Sequence, residues 1–383
     1  MMGDEMKARA ILDLYRQKKQ GDKEASQNFN EVVEYLVPAA MDAIAEGDGY
    51  MAVEYLRPFR DVMPKLTVFL QYLDAWAKYV SADWQGTCGS FVEYLEQKPD
   101  DEIAWFLLGN AWHQQGDIAA AMVCYQKANE LHGQFAEVLQ NAEAGRVLCT
   151  HPFATMWPDM DGFNVPIFIN SYNRLECLKK LVNWLIVHGY RRIYILDNQS
   201  TYPKLLAYYE ELGGENRVRV IRLEKNYGYK ALWESRILSR LDIRTPYVYT
   251  DSDVLPTDSC TDNIVNVLLS FARRHPMLKK IGLGLVTEDI TVRFRDRIQQ
   301  IQAKFCQTHW EQGFDYAAVD TTFALYANCR HYSLRLSART NGQMRAWHLP
   351  WYYDYDNLPE DEQYYLEHAN VHSTMSNWAK EES

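Results

Sequence analysis

Residues 247–256, Tyr247-Val248-Tyr249-Thr250-Asp251-Ser252-Asp253-Val254-Leu255-Pro256, join a run of β-branched and aromatic side chains to two carboxylates. The run reads as a buried strand. Side chains two apart on an extended backbone point the same way. Asp251 and Asp253 therefore face one spot, and Ser252 faces away. Hard oxygen ligands at the C-terminal end of a strand suit Mg²⁺ or Mn²⁺, which keep open positions for substrate phosphates. In open α/β sheets ligands bind at that end. The expected chemistry is metal-assisted handling of a phosphorylated substrate. The same residue types also serve in turns and helix caps, so the neighbouring sequence has to decide.

Outward from this stretch, strand and helix patterns alternate. Strands are expected at 165–170, 192–196 and 218–223, with helices at 175–187, 202–212 and 229–241 between them and before the 247–250 strand. Alternation of this kind implies an α/β fold with a mostly parallel sheet and right-handed crossovers. Further on, 281–286 reads as a strand, 290–312 as a long polar helix, and 315–326 as a segment ending in a strand. Residues 149–164 hold two Pro and one Gly in 151–164 without periodicity and read as a linker. The expected domains are 1–148, all helical, and 165–383, α/β.

Within the helical part, Trp105, Leu108, Gly109, Trp112, Ala121, Tyr125 and Ala128 follow the spacing of a helix pair. This spacing resembles the tetratricopeptide repeat, with Trp112 and Gly133 as departures. One period of about 34 residues upstream, Ala75, Phe91 and Pro99 keep part of the pattern. Other helices are expected around 5–20, 28–46 and 50–80. About three repeats are needed for a stable stack. This part is therefore expected to cover another surface, in a homodimer by preference.

Hydrophobic residues make up 47% and charged residues 24% of the 383, which are globular values. The net charge of -11 argues against a nucleic-acid surface. It also disfavours anionic lipid, although the basic 273–280 segment leaves peripheral membrane contact open. Seven scattered cysteines with no Cys-x-x-Cys pair fit reduced thiols, and with the absence of a signal-peptide core they suggest the cytoplasm. No stretch approaches the roughly 18 apolar residues of a membrane span. Tyr and Trp are plentiful and gather in 347–365; such rings suit sugar faces but also ordinary cores.

Four segments in order carry a second resemblance: Ile169-Asn170-Ser171-Tyr172-Asn173-Arg174, Ile195-Leu196-Asp197-Asn198-Gln199-Ser200-Thr201, Glu224 to Trp233 with its Asn226-Tyr227-Gly228, and Thr250-Asp251-Ser252-Asp253. Together they resemble the GT-A fold of nucleotide-sugar glycosyltransferases, over 165 to about 350. No Gly-x-Gly-x-x-Gly follows the first strand and there is no Walker A loop.

The resemblance implies a nucleotide-sugar donor, UDP by family frequency, and a glycan or lipid-linked glycan acceptor, as in surface polysaccharide synthesis. It places Tyr172 on the nucleobase, Arg174 on the donor side, Asp197 at a base edge, and Asn226, Gly228 and Lys230 along the ribose-diphosphate path. Asp253 becomes the main ligand of Mn²⁺ or Mg²⁺, Asp251 a ribose or second metal contact, and His348 a further ligand. Asp320, before the 321–326 strand, becomes the general base, with Asp354 and Asp356 in reserve. Turn, cap and packing roles stay open for each of these residues. A sugar nucleotidyltransferase and a non-catalytic helical-repeat scaffold are the rival readings.

Overall fold

The computed structural model describes residues 2–63, 66–131, 135, 139–140, 160–290, 295–311, 313–327, 332, 334 and 336–369. Gly133 and most of the expected linker, 149–159, lie outside them, as do Cys149 and Cys329. The chain divides into two compact units, Met1–Asp159 with Arg273–Leu278, and Met160–Ala272 with Lys279–Ser383.

The first unit is helical: α1 (Met2–Lys19), α2 (Lys23–Glu46), α3 (Gly49–Val62), α4 (Val68–Val80), α5 (Trp84–Gln97), α6 (Glu102–Gln114) and α7 (Ile118–Leu131). Aspartates start five of these helices. Asp22, Asp48, Asp83, Asp101 and Asp117 each accept a hydrogen bond from the backbone N–H three residues on. Each such cap is worth about 1 kcal/mol. Consecutive helices pack on one another through Tyr72, Trp76, Phe91, Phe106 and Tyr125, all buried. Gly109 of α6 packs directly against Tyr125 of α7. A Cβ there would stand 2.5 Å from the Tyr125 ring. The expected helical stretch 50–80 is two helices, α3 and α4, that end and begin on either side of Met63.

The second unit is α/β. Its principal sheet uses β1 (Ile167–Ser171), β2 (Ile193–Asp197), β3 (Val218–Arg222), β4 (Tyr247–Asp251), β6 (Lys280–Gly282), β8 (Cys306–Glu311), β9 (Phe314–Ala317), β10 (Ala324–Tyr326) and β11 (Ser337–Thr340). Among the described residues its order is β3-β2-β1-β4-β10-β6-β11-β9-β8. Only β10 and β9 run against the rest, so seven of the nine strands point one way. Helices α8 (Leu175–Val187) and α9 (Pro203–Glu211) make the first two crossovers. A small sheet of β5 (Val254–Pro256), β12 (Arg345–His348) and β7 (Gly284–Leu285) stands beside it. Three further helices are α10 (Ile264–Arg274), α11 (Arg295–Phe305) and α12 (Glu360–His368).

Three expectations are corrected. The helix expected at 229–241 is two short turns, Ala231–Glu234 and Ile237–Arg240, broken where Arg236 adopts a left-handed φ of 57°. The Ser235 hydroxyl donates back to the Ala231 carbonyl, a local bond that competes with helix continuation. The strand expected at 281–286 splits at Leu283 between the two sheets, because Gly284 approaches the Thr340 carbonyl so closely that a Cβ would lie 2.3 Å away. The polar helix expected over 290–312 stops at Phe305. The chain then pairs antiparallel with β9, so cross-strand pairing overrides the helical pattern.

Filling the Gly109 gap tests the α6–α7 contact. Gly109→Val is expected to overpack the Tyr125 ring and lower the unfolding free energy by about 1–3 kcal/mol. Urea titration followed by circular dichroism reads this, and an unchanged midpoint would contradict the close approach.

Candidate active site

The strand order fixes where a site can form. The chain passes from β1 to β2 to β3 on one side, then returns to place β4 on the other side of β1. A crevice opens at the carboxyl ends where the order reverses. The register sets Asn170 beside Asp251 and Ser171 beside Asp197. A cleft of about 620 Å³ opens there. Its walls include Asn170, Tyr172, Arg174, Asn198, Asn226, Gly228, Asp251, Asp253, Asp320 and His348.

Each turn holds its side chains by local bonds. After β1, Asn173 takes a left-handed φ of 57°, and its side-chain oxygen accepts from the N–H groups of Thr201 and Tyr202 at 2.8 and 3.1 Å. Asn tolerates that conformation. After β2, the Asn198 amide donates to Asn170 Oδ1 at 2.6 Å and to the Gly228 carbonyl at 3.1 Å, while its oxygen accepts from the Tyr227 N–H. Asn170 in turn donates to Asp251 Oδ1 at 2.9 Å. Thr321 donates its hydroxyl to Asp251 Oδ2. Both oxygens of Asp251 are thus engaged. Burial, and then the charge of Asp253, push its carboxyl up to about 7.

Asp253 is 5% exposed and pairs with the Arg174 guanidinium. Arg174 also forks onto Glu362 of α12, with Nε and Nη2 each 2.7 Å from a carboxylate oxygen. The Tyr365 ring covers the guanidinium at 3.7 Å. Burial disfavours the Arg174 charge, but Glu362, Tyr365 and Asp253 outweigh it and hold the group protonated. Pairing of β12 with β5 sets His348 opposite Val254, which brings its Nε2 to 3.6 Å from Asp253 Oδ2. Burial lowers the His348 pKa more than Asp253 raises it, so the imidazole is neutral. Asp320 is exposed on the loop between β9 and β10, where its Oδ1 accepts from the Tyr332 hydroxyl at 2.6 Å.

Tyr172 lines the cleft and donates its hydroxyl to the His368 carbonyl at 3.0 Å. Asn226 and Gly228 also line it, the Asn226 oxygen accepting from the Gly228 N–H at 2.8 Å. Other residues singled out in the sequence stand apart from the cleft. Asp197 is fully buried, accepts from Tyr209 and the Ser200 N–H, and pairs with Arg222 at 2.6 Å. The Lys230 ammonium stands over the Tyr229 ring at 5.5 Å. Asp354 accepts from the Asp356 N–H, and neither lines the cleft. Glu362 and Tyr332 carry no local sequence signal of a site. Asn198, Thr321 and Tyr365 sit in segments that do, the last within the 347–365 aromatic cluster, but nothing in those segments assigns them a role.

The donor set fits a divalent cation. Asp251, Asp253 and Asp320 line the cleft together with Arg174, Arg339 and His348, and Glu362 shares the Arg174 guanidinium with Asp253. Asp253 Oδ1 and His348 Nδ1 are buried without a hydrogen-bond partner. No three His, Cys, Asp or Glu side chains form a cage among the described residues. An open site with one or two protein ligands and substrate phosphates is the usual arrangement for Mg²⁺.

Arg174 is the counter-ion of two buried carboxylates. Arg174→Leu is expected to lower the unfolding free energy by about 3–5 kcal/mol, the cost of breaking a buried pair. Glu360→Ala removes the exposed pair with Lys204, and is expected to leave the unfolding midpoint nearly unchanged. Equal effects of the two in denaturant titrations would overturn this assignment.

No known family pattern matches the sequence, and no curated protein compared with it matches either. Solved structures do match in part. A mannosyltransferase from Pyrobaculum calidifontis, in complex with GDP-Man and Mn²⁺, is 16% identical with a TM-score of 0.26, over 40% of this chain and 47% of that one. A variant O-GlcNAc transferase from Thermobaculum terrenum is 14% identical with a TM-score of 0.28, over 52% of this chain and 42% of that one. The match thus spans less than half the length of either protein. Likeness at this level leaves function to rest on the geometry of the cleft.

Proposed function

We propose that this chain is a GT-A-type glycosyltransferase that moves a sugar from a nucleotide-sugar donor, UDP-linked by preference, to a glycan or lipid-linked glycan acceptor. The observation that carries this reading is the convergence of Asp251, Asp253 and His348 at the strand switch point, in a cleft that also exposes Asp320. Mn²⁺ or Mg²⁺ would be held by Asp253 with His348, and Asp251 beside them. When bound, the ion would supply Lewis-acid stabilisation of the departing diphosphate. Tyr172 offers a ring to the nucleobase, and Arg174 fixes the carboxylate of Asp253. Asn226 and Gly228 border the ribose-diphosphate path, with Lys230 beyond them as a source of positive potential. Asp197, buried beneath the turn, shapes the base side rather than reaching into it.

Asp320 is the proposed general base of an inverting transfer. It takes the proton of the acceptor hydroxyl as that oxygen attacks the anomeric carbon. Asp354 and Asp356 remain in reserve. The tetratricopeptide-like reading of α6 and α7 makes the helical unit an association surface, in a homodimer. A place in the cytoplasm, in surface polysaccharide synthesis with peripheral membrane contact, completes the proposal. Among the described residues no helix is long and apolar enough to cross a membrane. The raised carboxyl of Asp251 and the unengaged buried oxygen of Asp253 favour turnover over the scaffold alternative, since perturbed carboxylates gather at functional sites. The missing Gly-rich basic loop after β1 disfavours a nucleotidyltransferase.

Release of UDP from a panel of UDP-sugars tests the reaction. EDTA is expected to abolish release and Mn²⁺ or Mg²⁺ to restore it. Asp253→Asn is expected to reduce Mn²⁺ affinity, read by titration calorimetry, about 10-fold or more. Unchanged affinity would remove Asp253 from the metal site. Asp320→Asn is expected to lose about 10²- to 10⁴-fold in turnover with UDP affinity kept. Near-normal turnover would move the base to Asp354 or Asp356, or make the reaction retaining. Light scattering of the full chain tests the dimer, which a monomer at micromolar concentration would exclude.

A further inference from the structure

Lys280, on β6, is completely buried beneath the loop that carries Asp320. Its ammonium donates to the Tyr326 hydroxyl at 3.2 Å and to the main-chain oxygen of Asp320 at 3.3 Å. It also stands 4.9 Å from the centre of the Tyr332 ring and 5.1 Å from that of Tyr326. Tyr332 is the residue whose hydroxyl donates to Asp320 Oδ1. Tyr229 and Trp233 brace the Tyr332 ring edge-on, at 5.1 and 5.8 Å. One buried cation thus reaches Asp320 twice, through its backbone and through the tyrosine on its carboxylate.

Burying an ammonium is costly, and an aromatic box with oxygen acceptors offsets that cost. The arrangement has a chemical consequence. An exposed aspartate on a loop rotates freely, and a base is effective only when one oxygen is held toward the reacting hydroxyl. Tyr332 engages Oδ1 and leaves Oδ2 without a side-chain partner among the described residues.

We infer that Lys280 and Tyr332 are positioning residues for Asp320, which fix Oδ2 as the oxygen that receives the acceptor's proton. This rests on the glycosyltransferase reading and on Asp320 as its base. In the step concerned, the O–H proton of the acceptor passes to Asp320 Oδ2. The acceptor oxygen forms a bond to the anomeric carbon. The bond from that carbon to the diphosphate oxygen breaks, and its electron pair leaves with the nucleoside diphosphate.

The test is steady-state kinetics of UDP release from UDP-glucose, UDP-galactose and UDP-N-acetylglucosamine, with p-nitrophenyl glycosides as acceptors. Tyr332→Phe removes one hydroxyl and keeps the ring in its box. It is expected to lower kcat about 10- to 100-fold, with both KM values within about 2-fold, because misplacement alone costs that much. Lys280→Met is expected to do the same. Introduced into Asp320→Asn, either change is expected to add nothing, since the three residues act as a unit. Normal kcat in Tyr332→Phe, or a loss fully additive with Asp320→Asn, would overturn the inference and leave the glycosyltransferase reading in place. Normal turnover in Asp320→Asn itself would instead remove the base, and the inference with it. If Lys280→Met fails to fold, Tyr332→Phe alone decides.

Discussion

A single guanidinium organises the candidate site. Arg174 is buried between Asp253, after β4, and Glu362, on α12, and a tyrosine ring covers it. Three segments far apart in sequence are joined at that point. Removing either carboxylate from water without the guanidinium would cost several kcal/mol. The fork geometry of arginine meets both with hydrogen bonds, which an ammonium could not reproduce. The pairing leaves one oxygen of Asp253 buried and unengaged, facing the same cleft as His348. The structure therefore holds a carboxylate still without satisfying it.

The placement of this cluster follows from strand order. Parallel strands joined by α8 and α9 direct their carboxyl ends to one edge, and the reversal between β1 and β4 opens the crevice there. The Asn198–Asn170–Asp251 chain of hydrogen bonds crosses three neighbouring strands at that edge. Neutral amides can donate to a carboxylate at one end and accept at the other, so the chain fixes Asp251 without cancelling its charge. Asp320 reaches the same edge from the antiparallel half of the sheet, held by Tyr332 and by the buried Lys280 below it.

What was legible in the sequence is what depends on short range. The 175–187 helix and the strands ending in Ser171, Asp197 and Asp251 follow from apolar periodicity and turn residues. The break at Arg236 was not legible, because a left-handed residue between two apolar turns leaves the helical pattern intact. Neither was β8, whose strand state comes from pairing with β9. In the site, Asp251 and Asp253 announce themselves as carboxylates after an apolar run. Glu362 does not: it lies 188 residues from Arg174, in an acidic helix start of an ordinary kind. Asp197 shows the opposite failure. Its sequence setting matches that of Asp251, yet Tyr209 and Arg222 engage it and it is wholly buried.

Unsatisfied atoms distinguish a working cleft from an inherited shell. A purely structural ion-pair network engages its buried oxygens, because each unsatisfied buried charge lowers stability. This cluster leaves one open. Asp251 is pushed up by burial and by Asp253, and Asp253 keeps an unengaged oxygen beside a neutral imidazole. The protein carries that strain at the edge of the sheet where ligands bind, and a cation brought with a diphosphate would relieve it. A fold that used this unit only as a platform would gain stability from replacing Asp253 and Arg174 together with apolar residues. The presence of both, with the amide chain that steadies Asp251, is the physical argument for the charged ligand proposed above.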